Sequence, residues 1–296
     1  MTFNINNIIM CRALAMCIAT SLSLCLAIAQ PTAERDSSFS LPPSLIHRET
    51  VHSTMVGVGT SNVLDSYLSP YNYTGVDVRL QRETMRMLRR WDGRVATQSL
   101  IDINCAFDEN RPGSMNEYAG GIRYSHGWYY MLHGSNIVNP TERSATRWNV
   151  AAGLAASAYL GCVYIDRSGN NPAQAKASLT VDASLLATCR LHLLRRNFLL
   201  RGQVSVPMTG VAFSPNYGQS YYETFVLGHY DKNAVFVHPF NMPSLHTKLT
   251  LDIPLRSADL RIGYMGQIDQ SKFNNLKYHN YSHAFMIGFN KYFYRK

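Results

Sequence analysis

A strict two-residue alternation, sustained over segments longer than ordinary strands, constrains this chain more than any other feature. Its last stretch, Tyr281 to Phe293, has it. His283, Phe285, Ile287, Phe289 and Phe293 form one set, interrupted by Lys291. Ser282, Ala284, Gly288 and Asn290 form the other, with Met286 the exception. Successive side chains of a strand point to opposite faces, so one face is apolar and the other small or polar. Gln174 to Ala187 is clearer still: Ala175, Ala177, Leu179, Val181, Ala183 and Leu185 alternate with Gln174, Lys176, Ser178, Thr180, Asp182 and Ser184. Two arrangements produce this pattern. One is a soluble sheet over a core; the other is a barrel wall with lipid outside and a polar lumen inside.

Composition and strand length separate them. Charged residues are 16% of the chain, against about a quarter in ordinary soluble proteins. The mean hydropathy of −0.15 is too low for a bundle of membrane helices. The alternating segments run to about ten residues or more, where soluble strands average five or six. Their polar faces carry small residues and charges of both signs, as a crowded lumen does. A water-facing sheet would carry many lysines instead. Closure also removes the bare edges that an open sheet of this size would present. The expected fold is all-β: a closed antiparallel transmembrane β-barrel spanning 46–296.

Eleven segments read as firm strands: 49–59, 73–88, 95–107, 118–130, 150–164, 174–187, 199–208, 221–230, 245–255, 260–269 and 281–293. A weaker one covers 234–240. Between the first two, 61–72 reads as a loop, and Asp92-Gly93 is a hairpin turn pair. Single-chain bacterial barrels have even strand numbers, so about twelve strands are expected, with ten the alternative.

Ahead of the barrel, Arg12 is followed by an apolar run from Ala13 to Ala29 ending in Ala27-Ile28-Ala29. A basic residue, a short hydrophobic region and small residues at its end describe a cleaved export signal at 1–29. The run is too short for a membrane anchor, which needs ~20 residues. Residues 30–45, with Pro42 and Pro43, read as a flexible leader. Cleavage removes Arg12 and no acid, taking the formal charge from +9 to +8. It leaves Cys105, Cys162 and Cys189. An odd count in an exported chain argues against a disulfide framework, and Cys105 and Cys162 fall on apolar faces as small hydrophobes.

The C-terminal third carries three further blocks. Ser214-Pro215-Asn216-Tyr217-Gly218-Gln219-Ser220-Tyr221-Tyr222-Glu223 is the first and Leu260-Arg261-Ile262-Gly263-Tyr264 the second. Asn274-Asn275-Leu276-Lys277-Tyr278-His279 followed by Tyr281 to Phe289 is the third. Together they resemble a Bacteroidetes family of secreted proteins classed as a domain of unknown function and regarded as outer-membrane barrels. The resemblance implies fold and location. It carries no catalytic residue to transfer.

Function is therefore expected in the lumen. Alternation points Asp77, Arg79, Glu83, Asp102, Arg123, Lys176, Asp182, Arg201, Lys248, Asp252 and Arg261 inward, where charges of both signs should pair. No phosphate loop, dinucleotide fingerprint or zinc spacing is present, so no cofactor or metal is expected. His279 and His283 lie about 13 Å apart on a strand, too far to share an ion. Ser125-His126 and Ser282-His283 suggest a lipid-active hydrolase, but adjacent strand residues face opposite ways, which leaves only a cross-strand pair possible. Arg82, Arg86, Arg89, Arg90 and Arg94 suit anionic lipid headgroups or lumen carboxylates better than nucleic acid. Trp91, Trp128, Tyr129, Tyr130, Tyr292 and Tyr294 near strand ends suggest interfacial girdles.

The expectation is a non-catalytic outer-membrane barrel acting as a narrow channel or structural component. Its partners would be membrane lipid, lipopolysaccharide and, during insertion, the barrel-assembly machinery. A lipid-active enzyme on the outer face and a soluble exported sandwich are the other readings.

Overall fold

The computed structural model describes residues 49–294, apart from 89–92, 135–136, 139–147, 167–171, 194–195, 231 and 256–257. The expected export signal and leader, with Arg89, Arg90 and Trp91, lie outside the described residues. The chain folds into β1 (Glu49–Asp65), β2 (Tyr73–Leu88), β3 (Val95–Asn110), β4 (Asn116–His133), β5 (Trp148–Ile165), β6 (Ala173–Leu193) and β7 (Arg196–Phe213). A short helix α1 (Tyr221–Phe225) follows, then β8 (Ala234–Val237), β9 (Leu245–Pro254), β10 (Asp259–Phe273) and β11 (Leu276–Tyr294).

Every neighbouring pair is antiparallel. β1 to β7 pair in sequence, β7 pairs β9, β9 pairs β10, β10 pairs β11, and β11 returns to β1. The ring is closed by ten strands, the lower of the two expected counts, with β8 outside the ring. Closure excludes the open sandwich. It leaves each strand's outward face carrying the apolar set: Leu179, Val181 and Leu185 on β6 and Phe285, Ile287 and Phe289 on β11 are all exposed. Ser282, Ala284, Met286 and Asn290 are buried. Cys105 and Cys162 are free and exposed on the outer wall, and Cys189 is buried.

Four local expectations are corrected. β1 does not stop at Gly59 but runs through Ser61 and Asn62 to Asp65, because the full register with β11 outweighs the turn-like composition there. β7 extends past Met208 to Phe213. A bulge opposite Val181 and Asp182 shifts the register and breaks the alternation at that point. Residues 221–230 are not a strand. Ser220 caps α1, accepting from Glu223 N–H, while the Glu223 carboxylate accepts from Ser220 N–H, so the S-x-x-E spacing was a helix start. Finally, 234–240 contributes only the four-residue β8.

β9 is ten residues long where its neighbour β10 has fifteen. It covers β7 only along Leu199–Ser205, and β8 pairs with the same edge of β7 higher up, at Gly210–Phe213. The bend after β8 completes the wall, with Lys272 N–H donating to Asn241 O and Gln270 N–H to Ser244 Oγ. The β7–β9 segment is tied to the rim around it. Tyr221 Oη accepts from Ala175 N–H at 2.6 Å, and the Asn274 amide donates to Ser214 O and Lys232 O. Asn274 and Asn275 both have positive φ, 48° and 63°, which makes the two-residue β10–β11 turn of the kind asparagine tolerates.

Candidate functional site

The eleven charges expected in the lumen are buried to different degrees. Nine are buried, and Arg123 and Lys176 are nearly so. They form separate clusters stacked along the barrel.

The central cluster is built on Glu83 of β2. Its carboxylate lies 3.0 Å from Lys248 Nζ of β9, 3.1 Å from Arg261 Nη1 of β10 and 3.8 Å from Arg201 Nη1 of β7. Gln98 Nε2 also donates to it, at 2.5 Å. Arg261 forms a two-pronged pair with Asp252 of the adjacent strand, at 2.6 and 2.7 Å, the fork-to-fork geometry that makes guanidinium–carboxylate pairs strong. One carboxylate thus gathers cations from three strands on the opposite side of the ring.

A second cluster centres on Arg79. It donates to Asp77 at 2.5 Å, Asp102 at 3.2 Å, and both Gln267 and Ser282 at 2.6 Å. Next to it, Asp269 accepts from Arg123 at 3.4 Å and from Gln267, and meets His246 Nε2 at 2.8 Å. Lys176 pairs with Asp65 at 2.9 Å and lies over the Tyr278 ring. Asp182 departs from the expected ion pairing: its recorded partners are the Ser157 and Thr180 hydroxyls.

The ends are closed differently. At the end where β1 begins and β11 finishes, inward-facing Val51, Met85, Met87, Ala96, Tyr129, Met131, Ala151 and Leu186 pack with Ile137 and Val138 of the β4–β5 connection. Arg201 also donates to the carbonyls of Ile137 and Val138. At the opposite end, Val237 and Met242 of the β7–β9 segment pack on Ala212 and Phe273. Among the described residues, one cavity of about 60 Å³ lies beside Gln98, Asp102 and Lys248 and another of the same size beside Arg123, Lys176 and Tyr278. Each has room for only a few water molecules.

Alternation missed Asp65, Asp108, Glu117, His246 and Asp269. Asp65, Asp108 and Glu117 lie where strands extend beyond the expected ends. His246 and Asp269 follow from continuing the parity of Lys248 and Arg261. Glu117 is fully buried, and neither carboxylate oxygen has a hydrogen-bond partner among the described residues. Two girdle residues also move inward. Trp128 and Tyr130 face out, but Tyr129 donates to Gln98 Oε1 inside, with Ser184 Oγ 3.1 Å from the same hydroxyl, and Tyr292 packs on the apolar plug.

Neither sequence-adjacent Ser–His pair forms. Ser282 binds Arg79 inside while His283 faces out to Tyr264 Oη. A cross-strand pair forms instead: Ser99 Oγ lies 2.8 Å from His126 Nδ1 on the outer wall. Among the described residues His126 meets Ser99 and the Trp128 ring, and no carboxylate orients it. Such a dyad lacks the group that holds a catalytic imidazole in place. Purified protein in detergent micelles should accordingly leave phospholipid intact, with or without calcium. Turnover abolished by Ser99→Ala or His126→Ala would show this dyad to be an active site. His279 hydrogen-bonds Asn62 and stacks on Tyr281, away from His283.

An apolar outer belt around an ion-paired, plugged interior defines a closed ten-stranded β-barrel with a filled lumen. The chain belongs to the family described as protein of unknown function (DUF3316), whose pattern matches residues 16–296. No curated protein matches it. Among solved structures it is similar to the outer membrane protease OmpT from Escherichia coli, at 8% identity and a TM-score of 0.44, covering 86% of this chain and 99% of that one. It is also similar to the transport unit of the autotransporter AIDA-I from Escherichia coli, at 10% identity, TM-score 0.41 and 94% and 97% coverage. The translocator domain of the autotransporter NalP from Neisseria meningitidis gives 9%, 0.40, 83% and 88%.

Proposed function

We propose that this protein is an outer-membrane β-barrel that serves as a structural, essentially non-conducting component of the membrane. The observation that carries this reading is the ion-paired interior: the Glu83 cluster crosses it from β2 to β7, β9 and β10, and the two cavities lined by lumen charges among the described residues are small, about 60 Å³ each. Barrels of this size are narrow enough for side chains to occupy the interior, whereas porins with sixteen to eighteen strands leave a water-filled channel. The outward Val, Leu, Ile and Phe residues supply the lipid-facing belt. Its partners in this reading are membrane lipid, lipopolysaccharide and the barrel-assembly machinery during insertion.

Sidedness follows from the connections. The longest, the β7–β9 segment, lies at one end together with the two-residue β10–β11 turn; the start of β1, the end of β11 and the β4–β5 connection lie at the other. The longest connections face outward in such barrels, and the β7–β9 segment sets the choice here, so the end where β1 begins and β11 finishes is read as periplasmic.

In planar bilayers the wild-type protein should give little or no conductance. Replacing Arg201 and Arg261 by alanine removes two side chains that fill the lumen, and steps of measurable conductance should appear. A large wild-type conductance that these substitutions leave unchanged would replace this reading with a plain aqueous pore.

A further inference from the structure

The outer wall is not uniformly apolar. Across β11, β1, β2, β3 and β4 the register aligns Lys291, His52, Thr84, Ser99 and His126 in a single row, each paired with the next. His52 Nδ1 meets Thr84 Oγ1 at 2.9 Å, and Ser99 meets His126 as described above. Arg82 stands beside this row, paired with Thr54 and Ile101. It points outward from the same strand face as Val76, Val78 and Leu80, all exposed. A charged side chain on that face costs about 2–4 kcal/mol at the midplane and about 0–1 near the interface. Arg82 therefore belongs at a headgroup level or beside an anion.

Among the described residues neither Arg82 nor Lys291 meets a carboxylate. Between them lies a groove of about 610 Å³ lined by Thr54, Val56, Ile287 and Phe289, with His52 at its margin. An apolar trough of that volume flanked by two cations is complementary to an amphiphile with a negative head and an alkyl tail.

We propose that this groove is a binding site for one glycerophospholipid, its phosphate held by Arg82 and Lys291 and one acyl chain lying along Val56, Ile287 and Phe289. Arg82 and Lys291 lie nearer the start of β1 than Val56 and Ile287 do, so the head sits at the end read above as periplasmic. The inference rests on that sidedness and on the barrel spanning the outer membrane. It selects a glycerophospholipid over lipid A, which occupies the other leaflet. The row of His52, Thr84 and Ser99 offers hydroxyl and imidazole groups to the glycerol and ester region.

The test is lipid retention by the detergent-purified, folded barrel, read by native mass spectrometry after addition of phosphatidylglycerol, of diacylglycerol with the same chains, or of lipid A. Wild-type protein should retain phosphatidylglycerol and not diacylglycerol. The double variant Arg82→Ala, Lys291→Ala should lower retention about thirtyfold, at about 1 kcal/mol for each cation near an anionic headgroup. The charge-conserving pair Arg82→Lys, Lys291→Arg should restore it, and Val56→Trp, which fills the trough, should remove it with both cations intact. Equal retention of diacylglycerol and phosphatidylglycerol, or unchanged retention by the alanine pair, would overturn the site. Preference for lipid A would overturn the choice of lipid. Gel mobility of unboiled and boiled samples, run alongside, reports barrel closure independently: loss of heat-modifiability in the wild type would instead sink the membrane-barrel reading.

Discussion

Glu83→Ala should be the most damaging single substitution in the lumen, costing about 3–5 kcal/mol of barrel stability. The carboxylate is the shared partner of Lys248, Arg201 and Arg261, which are themselves buried. Its removal leaves Lys248 with no carboxylate partner among the described residues and Arg201 facing Arg261, which keeps Asp252. Uncompensated buried charge is far more costly than a missing attraction, because the cations stay desolvated. The variant should lose its fast-migrating folded band at a lower temperature and unfold at lower urea in detergent. Glu83→Gln keeps the shape and the acceptor but not the charge, and should fall between alanine and wild type. An unfolding midpoint for Glu83→Ala equal to that of the wild type would mean that these cations are solvated rather than held by Glu83.

Val181→Arg is expected to cost about 2–4 kcal/mol if its depth is near the bilayer midplane. Val181 is on the outward face of β6 together with Leu179 and Leu185, all exposed. Its neighbour Thr180 is buried and donates to Asp182 Oδ1 at 2.7 Å. The penalty at Val181 should appear in lipid bilayers, where the belt meets hydrocarbon, and shrink in a detergent that lets the guanidinium reach water. If arginine at Val181 were harmless in bilayers while arginine at Thr180 blocked assembly, the faces of β6 would be reversed.

The faces were legible because closure imposes one rule on every strand. Once Ala175, Leu179 and Val181 are outside, Lys176, Thr180 and Asp182 have no other place to go, and the same parity accounts for the burial of Asp77, Arg79, Glu83 and Arg261. Partners were not legible in that way. Alternation says that Glu83 and Arg261 both point inward, but not that they meet across the ring, which depends on how far each strand is displaced against the next. Strand ends were lost for a related reason. Ser61, Asn62 and Asp65 look like turn residues, yet each has a partner on β11 and, when inside, a hydrogen bond to make, so the strand continues. The helix α1 was missed because Tyr221, Tyr222 and Phe225 resemble strand residues while the signal that matters, Ser220 with Glu223, lies just at its start.

The pairing of β1 with β11 has a consequence for timing. The earliest and the latest strands of the barrel are each other's partners along their whole length, from Glu49 opposite Tyr294 to Asp65 opposite Tyr278. Every other contact in the ring can form between segments that are close in sequence or joined by one connection, but this one requires the entire chain. Bringing its ends together carries the full loop-closure entropy, and no pairing of comparable range rewards it beforehand. Until β11 has been delivered, β1 exposes a bare edge and its outward apolar residues, a state prone to association with other chains. Synthesis therefore cannot be accompanied by stepwise completion of the wall. The molecule must be carried open and sealed last, in one event that turns a ribbon with two free edges into a tube with none.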